Sequence, residues 1–338
     1  MNPFLADLIE AKLTTYDLPS LRQDFEWVLS VGKPPRIKPQ SILPEAPPTI
    51  FQPGKNGRWV FDTPVAQQIL ALSAAIDYVR SRSNRRFLRV ILGSVLTSCS
   101  NVVINGKGRR YRRRWENRTC DAETVVKRFR DQFGAAVGDV ERFGGRPCRD
   151  YTLIRADSRK QLSSIECVDL AIFSPPYPNS FDYTDIYNLE LWMLGYLRSR
   201  KDNECLRKRT LRSHVQIARS FDIVHGDSPE LDRVYQRLVV ARSALWNRHI
   251  PEMVTSYFCD LLLVLLDVHS KLRSNGRMFI AVGSSKYAGV RIDVPKILVE
   301  LGKKAGLTLV DNASIRSMRS SAQQGGRKEL SESVLVFC

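Results

Sequence analysis

Asp169-Leu170-Ala171-Ile172-Phe173-Ser174-Pro175-Pro176-Tyr177 is the stretch on which the reading of this chain turns. The short apolar run from Val168 to Phe173, closed by a serine and two prolines, predicts a buried strand ending in a fixed turn. In an open α/β sheet, ligands sit just beyond the C-terminal ends of the strands, which is where Ser174 to Tyr177 falls. Consecutive prolines restrict the backbone and remove two N–H donors, so the turn presents acceptors: the Ser174 side chain and the Pro175 carbonyl. Tyr177 adds a flat aromatic face beside them. That combination suits a flat ring bearing an amino group.

Working outward, the half of the chain after Asp150 alternates strands and helices. Thr152 to Ile154 reads as a short strand closing at Asp157, and Asp185 to Leu197 as a helix. Two further helices fall at about 229–248 and 251–272, followed by a strand at Met278 to Val282 and a helix capped by Asp293 that stops at Gly306. Leu307 to Ile315 and Val334 to Phe337 are the last strands, joined without a helix by a loop containing Gly325-Gly326, and they predict an antiparallel edge pair. This alternation predicts an α/β class, with a mostly parallel sheet covered on both faces.

The first half is organised differently. Asn2 is a good N-cap, Pro3 suits the first helical position, and Phe4, Leu5, Leu8, Ile9 and Leu13 share one helical face, so a helix starts with no strand before it. Ser20 to Pro53 is proline-rich and predicts a long irregular connection, followed by helices at about 63–79 and 87–99. Val102 to Ile104 leads into Asn105-Gly106, a hairpin signal, and leaves through Lys107, Arg109, Arg110, Tyr111, Arg112, Arg113, Arg114 and Trp115. Asp121 caps a further helix carrying Val125, Val126, Phe129 and Phe133 on its apolar face.

The Ser174-Pro-Pro-Tyr177 turn resembles the (Asn/Asp/Ser)-Pro-Pro-(Tyr/Phe) motif of DNA amino-methyltransferases. The likeness runs on through Pro178 to Gly195, and through Val282-Gly-Ser-Ser285 and Arg316 to Phe337 with its Glu332-Ser-Val-Leu-Val, so it covers residues 150–338 well and 1–149 loosely. The resemblance implies a Rossmann-like sheet, S-adenosyl-L-methionine as cofactor, and double-stranded DNA as partner. Ser174, Pro175, Pro176 and Tyr177 would hold the exocyclic amine of a base taken out of the duplex, with serine in the first position leaning to cytosine N4 over adenine N6. Asp157, with Ser158, matches the acidic position that contacts the cofactor adenine, and Asn2-Pro3 resembles the pair that follows the ribose-binding acid. Asp182 and Tyr183 would shape the pocket. Transfer from a sulfonium to a neutral amine needs positioning, not a strong base.

One part of the pattern is missing. The family carries a strand and a Phe-x-Gly-x-Gly loop ahead of the helix seen here at 3–13, and Gly134 to Gly145 is a poor substitute because it follows a helix. The expectation is a split or truncated enzyme of a modification system, with a second polypeptide supplying that loop. A catalytically inactive DNA-binding remnant and an RNA methyltransferase are the competing readings. On this view residues 1–19 are the first helix of the fold, 20–149 an inserted DNA-contacting region, and 150–338 the catalytic core.

Charge supports a polyanionic partner: the 338 residues carry a formal net charge of +17. Basic side chains from Arg80 to Arg130, interleaved with Tyr111 and Trp115, predict phosphate tracking and stacking, with Lys107 to Arg114 as the centre of the patch. The cluster from Arg198 to Arg212 reads as a flank to a helix. No apolar run approaches the roughly 20 residues of a spanning helix. No signal peptide is visible, and the cysteines show no CxxC or Cys/His ligand spacing, so a cytoplasmic, nucleoid-associated chain without a metal is expected. The four histidines, His214, His225, His249 and His269, read as surface or capping residues.

Overall fold

The computed structural model describes residues 2–54, 56–105, 108–144, 150–160, 165–221, 226–319 and 329–338, without the side chains of 318, 319 and 329. The Gly325-Gly326 loop, Lys107 and His225 lie outside them. The chain forms two compact units, one from 1–155 with 184–207, the other from 156–183 with 208–338.

The first unit is helical. α1 (Pro3–Leu13) opens as its sequence requires, with the Asn2 side chain accepting from the Phe4 and Leu5 amides and Pro3 in the first turn. α2 (Leu18–Val31) replaces the start of the irregular connection expected from residue 20. The prolines begin only at Pro34, whereas Leu21, Phe25 and Val28 repeat at helical spacing and are fully buried. After the short α3 (Pro39–Ile42) come α4 (Thr63–Asp77) and α5 (Arg82–Cys99). The hairpin β1 (Val102–Asn105) and β2 (Gly108–Tyr111) follows, with Asn105 paired to Gly108. α6 (Ala122–Phe143) is capped by Asp121, which accepts from the Thr124 amide at 2.7 Å. It buries Val125, Phe129, Phe133 and Val137, four residues apart, against Phe25, whose ring stacks on Phe133 at 3.8 Å.

The second unit carries the sheet. β3 (Val168–Phe173) is followed by α7 (Tyr183–Ile186), within which the chain passes to the first unit; α8 (Asn188–Met193) and nearly all of α9 (Arg200–Lys208) belong to that unit. The helix expected over 185–197 is thus two short ones, broken at Tyr187 and closed at Gly195 in the left-handed region. α10 (Pro229–Val240) and α11 (Ile250–His269) precede β4 (Leu272–Gly283). A small hairpin follows, β5 (Ser285–Tyr287) with β6 (Val290–Ile292), then α12 (Val294–Lys304), β7 (Leu309–Arg319) and β8 (Glu329–Phe337).

The four-stranded sheet has the order β3-β4-β8-β7, so the architecture is α/β with a mixed sheet. Only β3 and β4 run parallel; β8 is antiparallel to both β4 and β7. The mostly parallel sheet expected from sequence is therefore not found among the described residues, while the antiparallel final pair is. Met278, Ile280, Val282, Leu335 and Phe337 pack with Tyr257, Phe258 and Leu261 of α11 and Ile297, Leu298 and Leu301 of α12. Gly302 is needed here, because a Cβ on it would stand 2.7 Å from the Phe337 ring.

Two further expectations are corrected. Thr152 to Ile154 is not a strand: it carries no regular secondary structure and has no ladder partner among the described residues. β3 is not buried on both faces. Among the described residues it lies at the sheet edge, where Ala171 and Phe173 pack on the core while Leu170 is 51% and Ile172 71% exposed. An unbroken apolar run does not distinguish an edge strand from a central one. No helix among the described residues is long and apolar enough to cross a membrane.

Candidate functional site

Ser174 to Tyr177 leave the C-terminal end of β3, next to the parallel strand β4. The Ser174 hydroxyl donates to the Ala281 carbonyl of β4 at 2.9 Å. With its proton engaged, the oxygen keeps its lone pairs to accept from another group. Pro175 is buried and Ser174 exposed, so the turn is anchored by its proline and offers its serine.

The loop beyond the motif is tightly laced. The Asn179 amide donates to the Tyr177 carbonyl at 2.8 Å, and the Phe181 amide to the Asn179 side chain at 3.2 Å. Ser180 has φ +58°, a left-handed conformation that costs a non-glycine residue about 1 kcal/mol. Three contacts hold it there. Its amide donates to the Ser213 carbonyl at 3.1 Å, its hydroxyl accepts from the Val215 amide at 3.3 Å, and its carbonyl accepts from the Gln216 side chain. The Tyr287 hydroxyl donates to the Pro178 carbonyl at 3.1 Å. Contacts from Ser213, Val215, Gln216 and Tyr287 thus hold the loop that follows the motif.

Tyr177 donates its hydroxyl to Glu332 of β8, and the other oxygen of that carboxylate accepts from Arg316 of β7. Burial and the adjacent Glu332 carboxylate raise the Tyr177 phenol well above its usual range. Burial would raise Glu332 too, but the Tyr177 hydroxyl and the Arg316 guanidinium outweigh it and hold that carboxyl below the usual range. Nearby hydroxyls are less provided for. Tyr257, Ser284 and Ser285 are buried, and their side-chain oxygens meet no hydrogen-bonding partner among the described residues. Buried polar groups are ordinarily satisfied, so such groups mark a place for water or ligand.

His214 was missed by sequence reasoning. It is 1% exposed, not a surface or capping residue, and its Nε2 lies 3.7 Å from Asp182 and 3.2 Å from Arg219. Asp182, expected to shape the pocket, is itself buried. The alternation of Ser213, His214 and Val215 carries no spacing signal that would have shown this in advance.

The residues expected to hold a cofactor are otherwise engaged. Asp157 accepts from the Arg159 amide at 3.1 Å, from Nε at 2.9 Å and from Nη2 at 2.6 Å. Burial alone would raise its carboxyl, and the Arg159 contacts bring it below the usual range. Arg159 continues to Asp260, which is 2% exposed and also takes the Arg212 amide at 2.9 Å and guanidinium at 2.8 Å. Ser158 is an exposed turn residue. In the first unit, the Asn2 side chain and Pro3 are used to start α1. Among the described residues no strand runs through a glycine-rich loop into a helix. With Asp157 closed by Arg159, the residues present do not by themselves fit S-adenosyl-L-methionine.

The basic hairpin of the first unit divides into inward and outward residues. Arg109 pairs with Asp185 at 3.2 Å. Arg112 donates to the Thr97 and Ser100 carbonyls at 3.1 and 3.3 Å, bracing the end of α5. Tyr111 lies under Arg58 and beside Trp115, which is buried and so is no free stacking platform. Arg110, Arg113 and Arg114 are exposed.

No family model matches the chain, and no solved structure matches it. The sequence is 30% identical over 184 residues to Type II methyltransferase M.AvaI of Nostoc sp. and, to the same degree, to that of Anabaena variabilis. It is 25% identical over 194 residues to Type II methyltransferase M.BsoBI of Geobacillus stearothermophilus. Each match takes up 50% of this chain and 38% of the relative, so the chain spans well under half the length of the relatives it matches. Over that stretch the chain is similar to Type II methyltransferases.

Proposed function

We propose that this chain carries the base-binding side of an S-adenosyl-L-methionine-dependent DNA amino-methyltransferase, acting on cytosine N4 or adenine N6, within a Rossmann-like sheet. One observation carries the reading: Ser174 to Tyr177 form an acceptor-rich turn at the strand end, with the serine proton already engaged. The similarity to Type II methyltransferases supports it.

In this reading the amine of a flipped base donates to the Ser174 hydroxyl oxygen and the Pro175 carbonyl, which aim its nitrogen lone pair. Tyr177 lies against the base ring. When bound, the cofactor supplies an electrophilic methyl group. The contribution of this chain is to hold the acceptor nitrogen still and exclude other geometries. Ser174 in the first motif position favours cytosine N4 on the family resemblance. Arg110, Arg113 and Arg114 face phosphates, in keeping with a net charge of +17. A second polypeptide supplies the glycine-rich loop for the cofactor in this reading, since among the described residues no strand runs through such a loop into a helix. The setting is the cytoplasm, at the nucleoid.

A transfer assay with tritiated S-adenosylmethionine and duplex DNA tests this, using the full chain alone, the chain co-purified with the products of adjacent genes, and Ser174→Ala in both. Label entering DNA only in the co-purified mixture, and lost with Ser174→Ala, is expected. Equal transfer by the Ser174→Ala protein would refute the assignment of the site.

A further inference from the structure

We propose that Glu332 and Arg316 are positioning residues for Tyr177, fixing the direction of its ring axis through the phenol hydroxyl. The inference rests on the reading of Tyr177 as the residue that lies against the target base.

Tyr177 stands on a loop, and an aromatic side chain on a loop is free to turn about two torsions unless its far end is tied. Here the tie comes from the other side of the sheet. Glu332 sits on β8, with Gly283 opposite it on β4 and Arg316 opposite it on β7. Cross-strand partners point to the same face, and Gly283 has no side chain, so nothing on β4 stands between the Glu332 carboxylate and the loop leaving β3. One oxygen of Glu332 accepts the Tyr177 hydroxyl and the other accepts Arg316 Nε. The carboxylate side chain is only 9% exposed, whereas Arg316 is 68% exposed. A buried carboxylate with a single neutral donor would be poorly satisfied, and Arg316 supplies the charge that keeps it ionised and in place. A carboxylate accepts and never donates when ionised, so it fixes the phenol proton and with it the ring direction.

Glu332 touches neither base nor cofactor in this account; it acts through Tyr177. That makes the effect separable from a general loss of structure. The test is a double-mutant cycle with Glu332→Ala, Tyr177→Phe and the pair, with Glu332→Gln as the conservative variant that keeps an acceptor for the hydroxyl. Methyl transfer is measured on the full chain in its active mixture, and urea denaturation is followed on the same proteins. Glu332→Ala should lower kcat on the order of 10- to 100-fold, the effect of misplacing a group by about an ångström, with little change in KM for DNA. It should add nothing in the Tyr177→Phe background, and Glu332→Gln should recover most of the rate. A Glu332→Ala loss that is undiminished in the Tyr177→Phe background would overturn the proposal, since the residue would then act by another route. Additive effects on urea stability would overturn it as well, because the two side chains would not be coupled. Coupled stabilities with a wild-type mixture that transfers no methyl group would leave the anchor standing and refute the methyltransferase reading instead.

Discussion

Glu190 lies on α8, 6% exposed, and its Oε2 meets no hydrogen-bonding partner among the described residues. Burial pushes its carboxyl up from 4.5 to about 7, with the Arg109 charge working in the other direction. A carboxyl raised in the folded state holds its proton after the unfolded chain has lost it. Stability from this group is therefore full below pH 4.5, falls as pH rises, and levels off above about 7. At about 1.4 kcal/mol per pH unit of displacement, the whole effect is about 3 kcal/mol, of which roughly 2 kcal/mol falls between pH 5 and pH 7.5. Glu190→Gln removes the titrating group and keeps its shape. Urea denaturation of both proteins at about pH 5 and pH 7.5 should give nearly equal midpoints at the lower pH and a clear advantage for Glu190→Gln at the higher one. A parallel pH dependence in the two proteins would refute the reasoning, because the buried carboxyl would then not be the group that titrates.

Three other outcomes follow from the same contacts. Replacing Asp260 by asparagine leaves the Arg159 and Arg212 guanidiniums without their buried carboxylate and should cost about 3–5 kcal/mol in urea denaturation. Arg112→Ala, which cuts two bonds to the end of α5, should lower stability by about 1–3 kcal/mol while leaving the salt dependence of DNA binding unchanged. The pair Arg110→Ala and Arg113→Ala should do the reverse, holding stability and flattening the plot of log K against log salt by about two, measured by fluorescence anisotropy.

Much of the chain was legible because its local signals are physical. Asn2-Pro3, Asp121 and Asp293 cap the helices they precede, and Asn105 ends the first strand of a hairpin, paired with Gly108. The turn after Phe173 falls at a strand end because two prolines cannot continue a ladder. What the sequence did not disclose depends on partners far along the chain. Nothing local tells that β3 sits at an edge, that β8 enters between β4 and β7, or that Thr152 to Ile154 lacks a neighbour. Glu332, 155 residues beyond Tyr177, is hidden for the same reason, and so are the pairing of His214 with Asp182 and the capture of Asp157 by Arg159. A titratable side chain announces its type in a sequence but not its partner.

The central claim is that Ser174 to Tyr177 present an exocyclic amine, not a ring carbon, for methylation. Nucleoside mass spectrometry of DNA recovered from the active mixture tests it directly. The account predicts N4-methylcytosine or N6-methyladenine, absent when Ser174→Ala is used. C5-methylcytosine, or an amino-methylated base that persists with Ser174→Ala, would contradict it.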